Sequence, residues 1–342
     1  MKKGLDLQVS SEARALHDDT LIVDLHCDTM LGQTFLGYDP TRRHQNRLWG
    51  SPLLFHADIP RMQEGGVGAV ALGVVVSPLR RKSAAPTTRR RLEMMAGWAQ
   101  AAPEDVVLAG TRAEIEEARA SGRIALFGGL EGAHGLGGTL DNLQEFRDLG
   151  LRYVTLAHFT PNKAATPSAG WGADPDAPLT DFGRQLVEAL NEHRMLVDLA
   201  HVNRAGFMDA CEHSKAPVVV SHTGVAGAYD SWRNIDDAQL RAVADTGGVV
   251  AIIFAPIFLG PSIRGPVSLA VDHIRHVISV VGEDHVAVGS DFDGFILPPT
   301  DLPDIAHLPV LTQCMLESGM TETQIRKCLG GNTLRLFGDV CG

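Results

Sequence analysis

Short apolar runs rich in β-branched residues recur along the chain, separated by stretches with helical spacing. The runs are LIVDLH (21–26), VGAVALGVVV (67–76), RIALFGGLE (123–131), LRYVTLAH (151–158), RMLVDLAH (194–201), APVVVSH (216–222), GGVVAIIF (247–254) and DHVAVGSD (284–291). Most are continuous rather than alternating, the pattern of strands covered on both faces. Between them, 111–122 begins with a Thr111 cap, carries acids in its first turns and ends near Gly122. Segments 179–193 (capped by Thr180), 268–282 and 321–331 also place apolar residues at helical spacing. Eight strand–helix alternations predict an α/β fold, a closed (β/α)8 barrel of the TIM type. The rival, an open doubly wound sheet, requires a glycine-rich nucleotide loop after its first strand. Here that strand runs into HCDTMLG, which contains no GxGxxG. Residues 1–342 read as one barrel domain, with an N-terminal extension over about 1–20 and elaborated loops at the barrel mouth.

In such a barrel the C-terminal strand ends converge on one mouth, where chemistry resides. The predicted ends carry His26 and Asp28, then Glu131, His158, His201 and His222, and finally Asp291 with Asp293 just beyond. His17, His44 and His307 lie in polar or loop-like contexts and read as ordinary residues. Four histidines that all terminate strands of one barrel do not. Imidazole and carboxylate together form the ligand set of Zn²⁺ and similar divalent ions. Side chains two apart on a strand point the same way, so His26 and Asp28 are expected to face a common point and Cys27 to face elsewhere. Asp24 is expected on the same inward face, as a buried acceptor or a support for the ligands.

Composition narrows the function classes. The net charge of −11 argues against a general nucleic-acid binder. Five scattered cysteines with no CxxC pair fit reduced thiols. The N-terminus lacks the apolar run of a signal peptide, and no stretch reaches the length of a membrane span, so no membrane association is expected.

The ordered set VDLHCD, GLEGAH, YVTLAHF, LVDLAHV, VVVSHT and GSDFDG, with GGNTLRLF near the C-terminus, resembles the renal (membrane) dipeptidase family, a branch of the amidohydrolase superfamily. The similarity extends from about His26 to Phe337. The resemblance implies a binuclear zinc dipeptidase acting on L,L- and L,D-dipeptides. It places His26, Asp28 and Glu131 on one zinc and Glu131, His201 and His222 on the other. It gives His158 contact with the substrate carbonyl, Arg233 the substrate carboxylate, and Asp291 the proton transfer. The residues agree on one point: many related hydrolases pair HxH with a carboxylated lysine, whereas here the step is HxD and none of the six lysines ends a predicted strand, leaving Glu131 as the bridge. The resemblance also suggests a homodimer, although no segment fixes an interface. Extracellular members carry signals, disulfides and lipid anchors; none is visible, and a cytoplasmic protein is expected.

Three further segments border the predicted mouth. The basic block Arg80, Arg81, Lys82, Arg89, Arg90 and Arg91 reads first as a solvated loop and helix start, with attraction of acidic dipeptides as its functional alternative. Loop 159–180, with Trp171, is expected either to cover part of the mouth or to pack Trp171 on the rim. Segment 253–266 is expected to line the pocket or form an oligomer contact, and His134 to support Glu131 or serve packing. Competing functions on the same scaffold are an N-acyl amino acid deacetylase, a lactonase or a phosphotriesterase. A non-catalytic ligand-binding barrel is a further alternative.

Overall fold

The computed structural model describes residues 9–44, 53–79 and 83–342. Its strands, in chain order, are β1 Ile22–Cys27, β2 Val67–Val75, β3 Val106–Leu108, β4 Ile124–Glu131, β5 Leu151–Thr155, β6 Leu196–Asp198, β7 Val219–Thr223, β8 Val249–Ile252 and β9 Val286–Val288. All pairings between them are parallel. Eight strands close into a ring: β1 pairs with β2 on one side and β9 on the other, and β2 pairs with β4. This is the expected (β/α)8 barrel. The three-residue β3 is additional to it. It pairs with Ile124–Leu126 at the start of β4, below the stretch Gly128–Leu130 that pairs with β5. A run of three residues carries no period, so the sequence pattern passes over it.

The strands are buried on both faces, as their continuous apolar runs require. One cluster fills the barrel: Val23, Leu25, Ala69, Ala71, Phe127, Tyr153, Leu196 and Val249 are among its members. The C-terminal helix Asn332–Val340 adds Leu336 and Phe337, whose ring meets Phe127 edge-on at 4.8 Å. A larger cluster lies between the strands and the outer helices. The helix starts follow local chemistry. Thr111 and Glu114 form a reciprocal capping box at the head of Arg112–Ala120, and Thr180 accepts from the Gly183 amide at the head of Asp181–Glu192. Helix Ser11–Asp19, within the stretch expected as an extension, buries Ala13, Leu16 and His17, the last hydrogen-bonded to Thr312 and to the Gly65 carbonyl. The five cysteines are buried and unpaired. No helix among the described residues is long and apolar enough to cross a membrane.

Candidate active site

Two bulges aim the strand ends. On β1, Asp24 pairs with Val70 and Cys27 with Leu72, so three steps on β1 match two on β2. Val70, Leu72 and Cys27 belong to the outer cluster, whereas Leu25 belongs to the interior. The extra residue turns His26 inward as well. Asp24 therefore does not share the inward face of His26, as the simple two-residue period predicts. It accepts instead from the Ser290 amide (2.8 Å) and hydroxyl (2.6 Å), and burial pushes its carboxyl up to about 6 against these bonds. On β7 the same device operates: Val220 pairs with Val250 and Thr223 with Ile252, with Ser221 and His222 between them. Bulges of this kind re-aim side chains beside active sites.

Several predicted terminal residues lie just past shortened strands. β5 ends at Thr155, β6 at Asp198 and β9 at Val288, ahead of His158, His201 and Asp291. His201 (φ 63°) and Asp291 (φ 60°) adopt left-handed backbone, which costs an L-residue roughly 1–2 kcal/mol. Asp28 has also left β1, as the cap residue of helix Thr29–Leu36.

Four imidazoles meet at a single atom. Glu131 Oε1 lies 3.0 Å from Nε2 of His201, 3.4 Å from that of His158, 3.6 Å from that of His222 and 3.8 Å from that of His26. His26 Nε2 lies 3.5 Å from Asp28 Oδ1 and 3.9 Å from Asp291 Oδ1. His201 and His222 bring their Nε2 atoms within 2.8 Å of each other. Arg233 is buried beside them, with Nη2 donating to the His222 carbonyl at 2.8 Å.

Electrostatics match the geometry. Burial lowers the basicity of all four imidazoles, keeping them neutral, the form that ligates metals. Burial, then Glu131 and Asp291, push the Asp28 carboxyl well up, with Arg91 opposing. Burial and Glu131 do the same to Asp291. For Glu131, burial is outweighed by the neighbouring His158 and the hydrogen bond with His201, which hold its carboxyl below the usual carboxylate range. Buried acids crowded this closely call for a cation.

The hydrogen bonds behind the ring point the lone pairs inward. Asp198 takes four donors: the Ser221 amide and hydroxyl, the Thr155 hydroxyl and the Ala200 amide. With its proton given to Asp198, the Ser221 hydroxyl accepts from His222 Nδ1 at 3.0 Å, so His222 Nε2 is bare. Tyr153 donates to the Leu25 carbonyl and accepts from His26 Nδ1 at 2.8 Å. His26 Nε2 and Asp28 Oδ1 are buried with no hydrogen-bond partner. Three overlapping groups have ligand atoms mutually within 4.8 Å: His26, Asp28 and Glu131; Glu131, His158 and His201; His26, His222 and Asp291. Orphaned donors of this chemistry fit a divalent ion.

A model of the membrane dipeptidase family, peptidase family M19, matches residues 10–341. The chain belongs to the membrane dipeptidase family. Among solved structures, dipeptidase AC, a metallopeptidase of family M19, is 30% identical, with 94% of this chain and 99% of that one covered and a TM-score of 0.84. A metallopeptidase from Rhodobacter sphaeroides, solved with a phosphinate mimic of the dipeptide L-Ala-D-Ala, is 29% identical, with 94% and 100% covered and a TM-score of 0.84. The probable dipeptidase PvdM from Pseudomonas aeruginosa, at 21% identity, 96% and 97% coverage and a TM-score of 0.86, shares the fold.

In this membrane dipeptidase frame the sequence pattern alone misses the supporting shell of Tyr153, Asp198, Ser221 and Ser290. It also misses Gly73, where a Cβ would fall 1.8 Å from Asp28 Oδ1, and Gly129, where one would fall 1.9 Å from the Tyr153 ring. Glycine inside an otherwise apolar strand is the signal that marks both. Removing the hydroxyl in Tyr153→Phe is expected to weaken metal affinity roughly 10- to 100-fold, read by competition with a chromophoric chelator. An unchanged affinity would show that the hydroxyl does not orient His26.

The mouth opens into a cavity of about 1040 Å³ whose walls include Phe159, Trp232, Ile253, Ile257, Phe258 and Ile263. Segment 253–266 thus contributes to its lining. Trp171 is 83% exposed and is not part of that lining. His134 Nε2 donates to the Val76 carbonyl, tying the turn after β4 to the end of β2.

Proposed function

We propose that this chain is a binuclear zinc dipeptidase that cleaves L,L- and L,D-dipeptides with free amino and carboxyl ends. The observation that carries the proposal is the convergence of four neutral imidazoles on Glu131 Oε1, with Arg233 buried nearby. His26, Asp28 and Glu131 would hold one ion and Glu131, His201 and His222 the other. When bound, the ions supply Lewis acidity and lower the pKa of water into the neutral range. The chain's own residues do the rest. Arg233, anchored through the His222 carbonyl, orients its guanidinium for the substrate's terminal carboxylate, a task for which a planar fork suits better than an ammonium. His158, half-buried at the same cavity, donates its ring N–H to the substrate carbonyl oxygen as negative charge develops there. Asp291 takes a proton from the attacking water and passes it to the leaving amine. The L-Ala-D-Ala mimic bound by the Rhodobacter relative supports extending the substrate class to a D-residue at the second position. We read residues 1–342 as one domain, and the unpaired cysteines as those of a cytoplasmic protein.

The test is a panel of Ala-Ala, L-Ala-D-Ala, N-acetylalanine, a lactone and a phosphotriester, assayed with zinc-loaded protein and with Arg233→Lys. Hydrolysis of the dipeptides alone is expected, with KM raised in the lysine variant. Turnover of N-acetylalanine, the lactone or the phosphotriester without dipeptide cleavage would transfer the site to a different hydrolase reaction. Absence of any turnover would leave a binding barrel.

A further inference from the structure

One guanidinium in the mouth has no part in the reaction described above. Arg91, on the helix Ala84–Ala101, is 8% exposed and lines the cavity with Asp28, Val75, Thr87 and Arg90. Its Nη1 is buried with no hydrogen-bond partner. The contrast with Arg61 is informative. That side chain, buried elsewhere, is satisfied by Asp58, Asp304, the Tyr38 hydroxyl and the Phe55 carbonyl. Arg89, two residues earlier on the same helix, pairs with Glu145 outside the cavity. Arg80, Arg81 and Lys82 lie outside the described residues. A buried guanidinium donor left unsatisfied at a cavity wall is costly unless something that enters the cavity pairs with it. Asp28 is the acid acting on Arg91, and in the dipeptidase reading a metal ion takes up that charge.

Arg91 and Arg233 both line the cavity and stand on opposite sides of the mouth. Arg91 is on the helix that follows β2, and Arg233 follows β7; these strands are four places apart in either direction around the eight-stranded ring. A dipeptide with its carboxylate on Arg233 and its carbonyl at the Glu131 cluster therefore directs its first residue toward Arg91. A neutral or basic first residue would bring only positive charge to that side, where Arg91 repels it. We propose that Arg91, with Arg90 at the rim, binds the side-chain carboxylate of the first residue, so that dipeptides beginning with Glu or Asp are preferred. This rests on the dipeptidase reading and adds a substrate class to it.

The test compares kcat/KM of the zinc-loaded enzyme for Glu-Ala, Ala-Glu, Ala-Ala and Lys-Ala, in the wild type and in Arg91→Met and Arg91→Lys. Glu-Ala is expected to exceed Ala-Ala by roughly 10- to 100-fold, the worth of a charge-assisted hydrogen bond, with Lys-Ala poorest. Arg91→Met keeps the apolar volume and removes an unpaired buried charge, so its melting temperature is expected to stay near that of the wild type. In it the Glu-Ala to Ala-Ala ratio is expected to fall to near one. Arg91→Lys, which keeps charge without the fork, is expected to give an intermediate ratio and serves if the methionine variant does not fold. A wild-type ratio near one, or a wild-type ratio that survives undiminished in Arg91→Met, would overturn the inference while leaving dipeptidase activity standing. A preference for Ala-Glu that Arg91→Met removes would overturn the assignment to the first residue. Absence of all dipeptide turnover would overturn the dipeptidase reading itself, and this inference with it.

Discussion

Glu131→Ala is expected to strip the site of divalent metal and of peptide-bond hydrolysis together. Its Oε1 is the common neighbour of four imidazole nitrogens, all within 3.8 Å. It is also the acid that its surroundings hold ionised, whereas burial and mutual repulsion push Asp28 and Asp291 toward the neutral form. Removing it takes the resident negative charge from a buried position, where each charge acts strongly. Partners behind a metal ligand are worth about 10- to 100-fold in affinity or activity, so loss of a shared ligand is expected to exceed that range. Metal analysis after dialysis, alongside turnover of Ala-Ala, checks it. A variant with the wild-type metal content and rate would remove Glu131 from the centre. The fold itself is expected to survive, because the variant discards a buried charge and leaves the barrel ladder intact.

Asp291→Asn is expected to separate metal binding from proton transfer. The amide has nearly the shape of the carboxyl but cannot accept the proton, so kcat is expected to fall by about 10²- to 10⁴-fold with metal retained. The geometry makes metal content the decisive companion measurement. Asp291 Oδ1 lies 3.9 Å from His26 Nε2, and Asp291 belongs with His26 and His222 to one group of ligand-capable atoms. Metal lost in step with activity would make Asp291 a ligand; near-normal kcat would remove it from the reaction.

The legible parts of this protein were those that depend on period and on residue type. Continuous apolar runs reveal strands buried on both faces, and Thr111 and Thr180 mark helix starts because their hydroxyls bond to amides only three residues away. The imidazoles and acids at the run ends are visible because such residues rarely punctuate apolar segments without cause. Less legible were features that arise from contacts between distant segments. The extra residue in β1 that separates the faces of Asp24 and His26 exists only relative to β2. The Asp198–Ser221–His222 and Tyr153–His26 relays join residues up to 127 positions apart. Arg91 reads as one more member of a solvated basic block until the helix that carries it is placed against the mouth.

By itself, then, the chain's pattern determined a ring of parallel strands with its chemistry at one end, because local spacing dictates which residues pair and which cap. Only the tertiary structure decided where each side chain points: that Glu131 is the hub, that Gly73 leaves room for Asp28, and that Arg91 faces the cavity while Arg89 does not. The physical reason is that orientation at a strand end depends on bulges, left-handed residues and cross-barrel hydrogen bonds, each of which requires a partner that is remote in sequence.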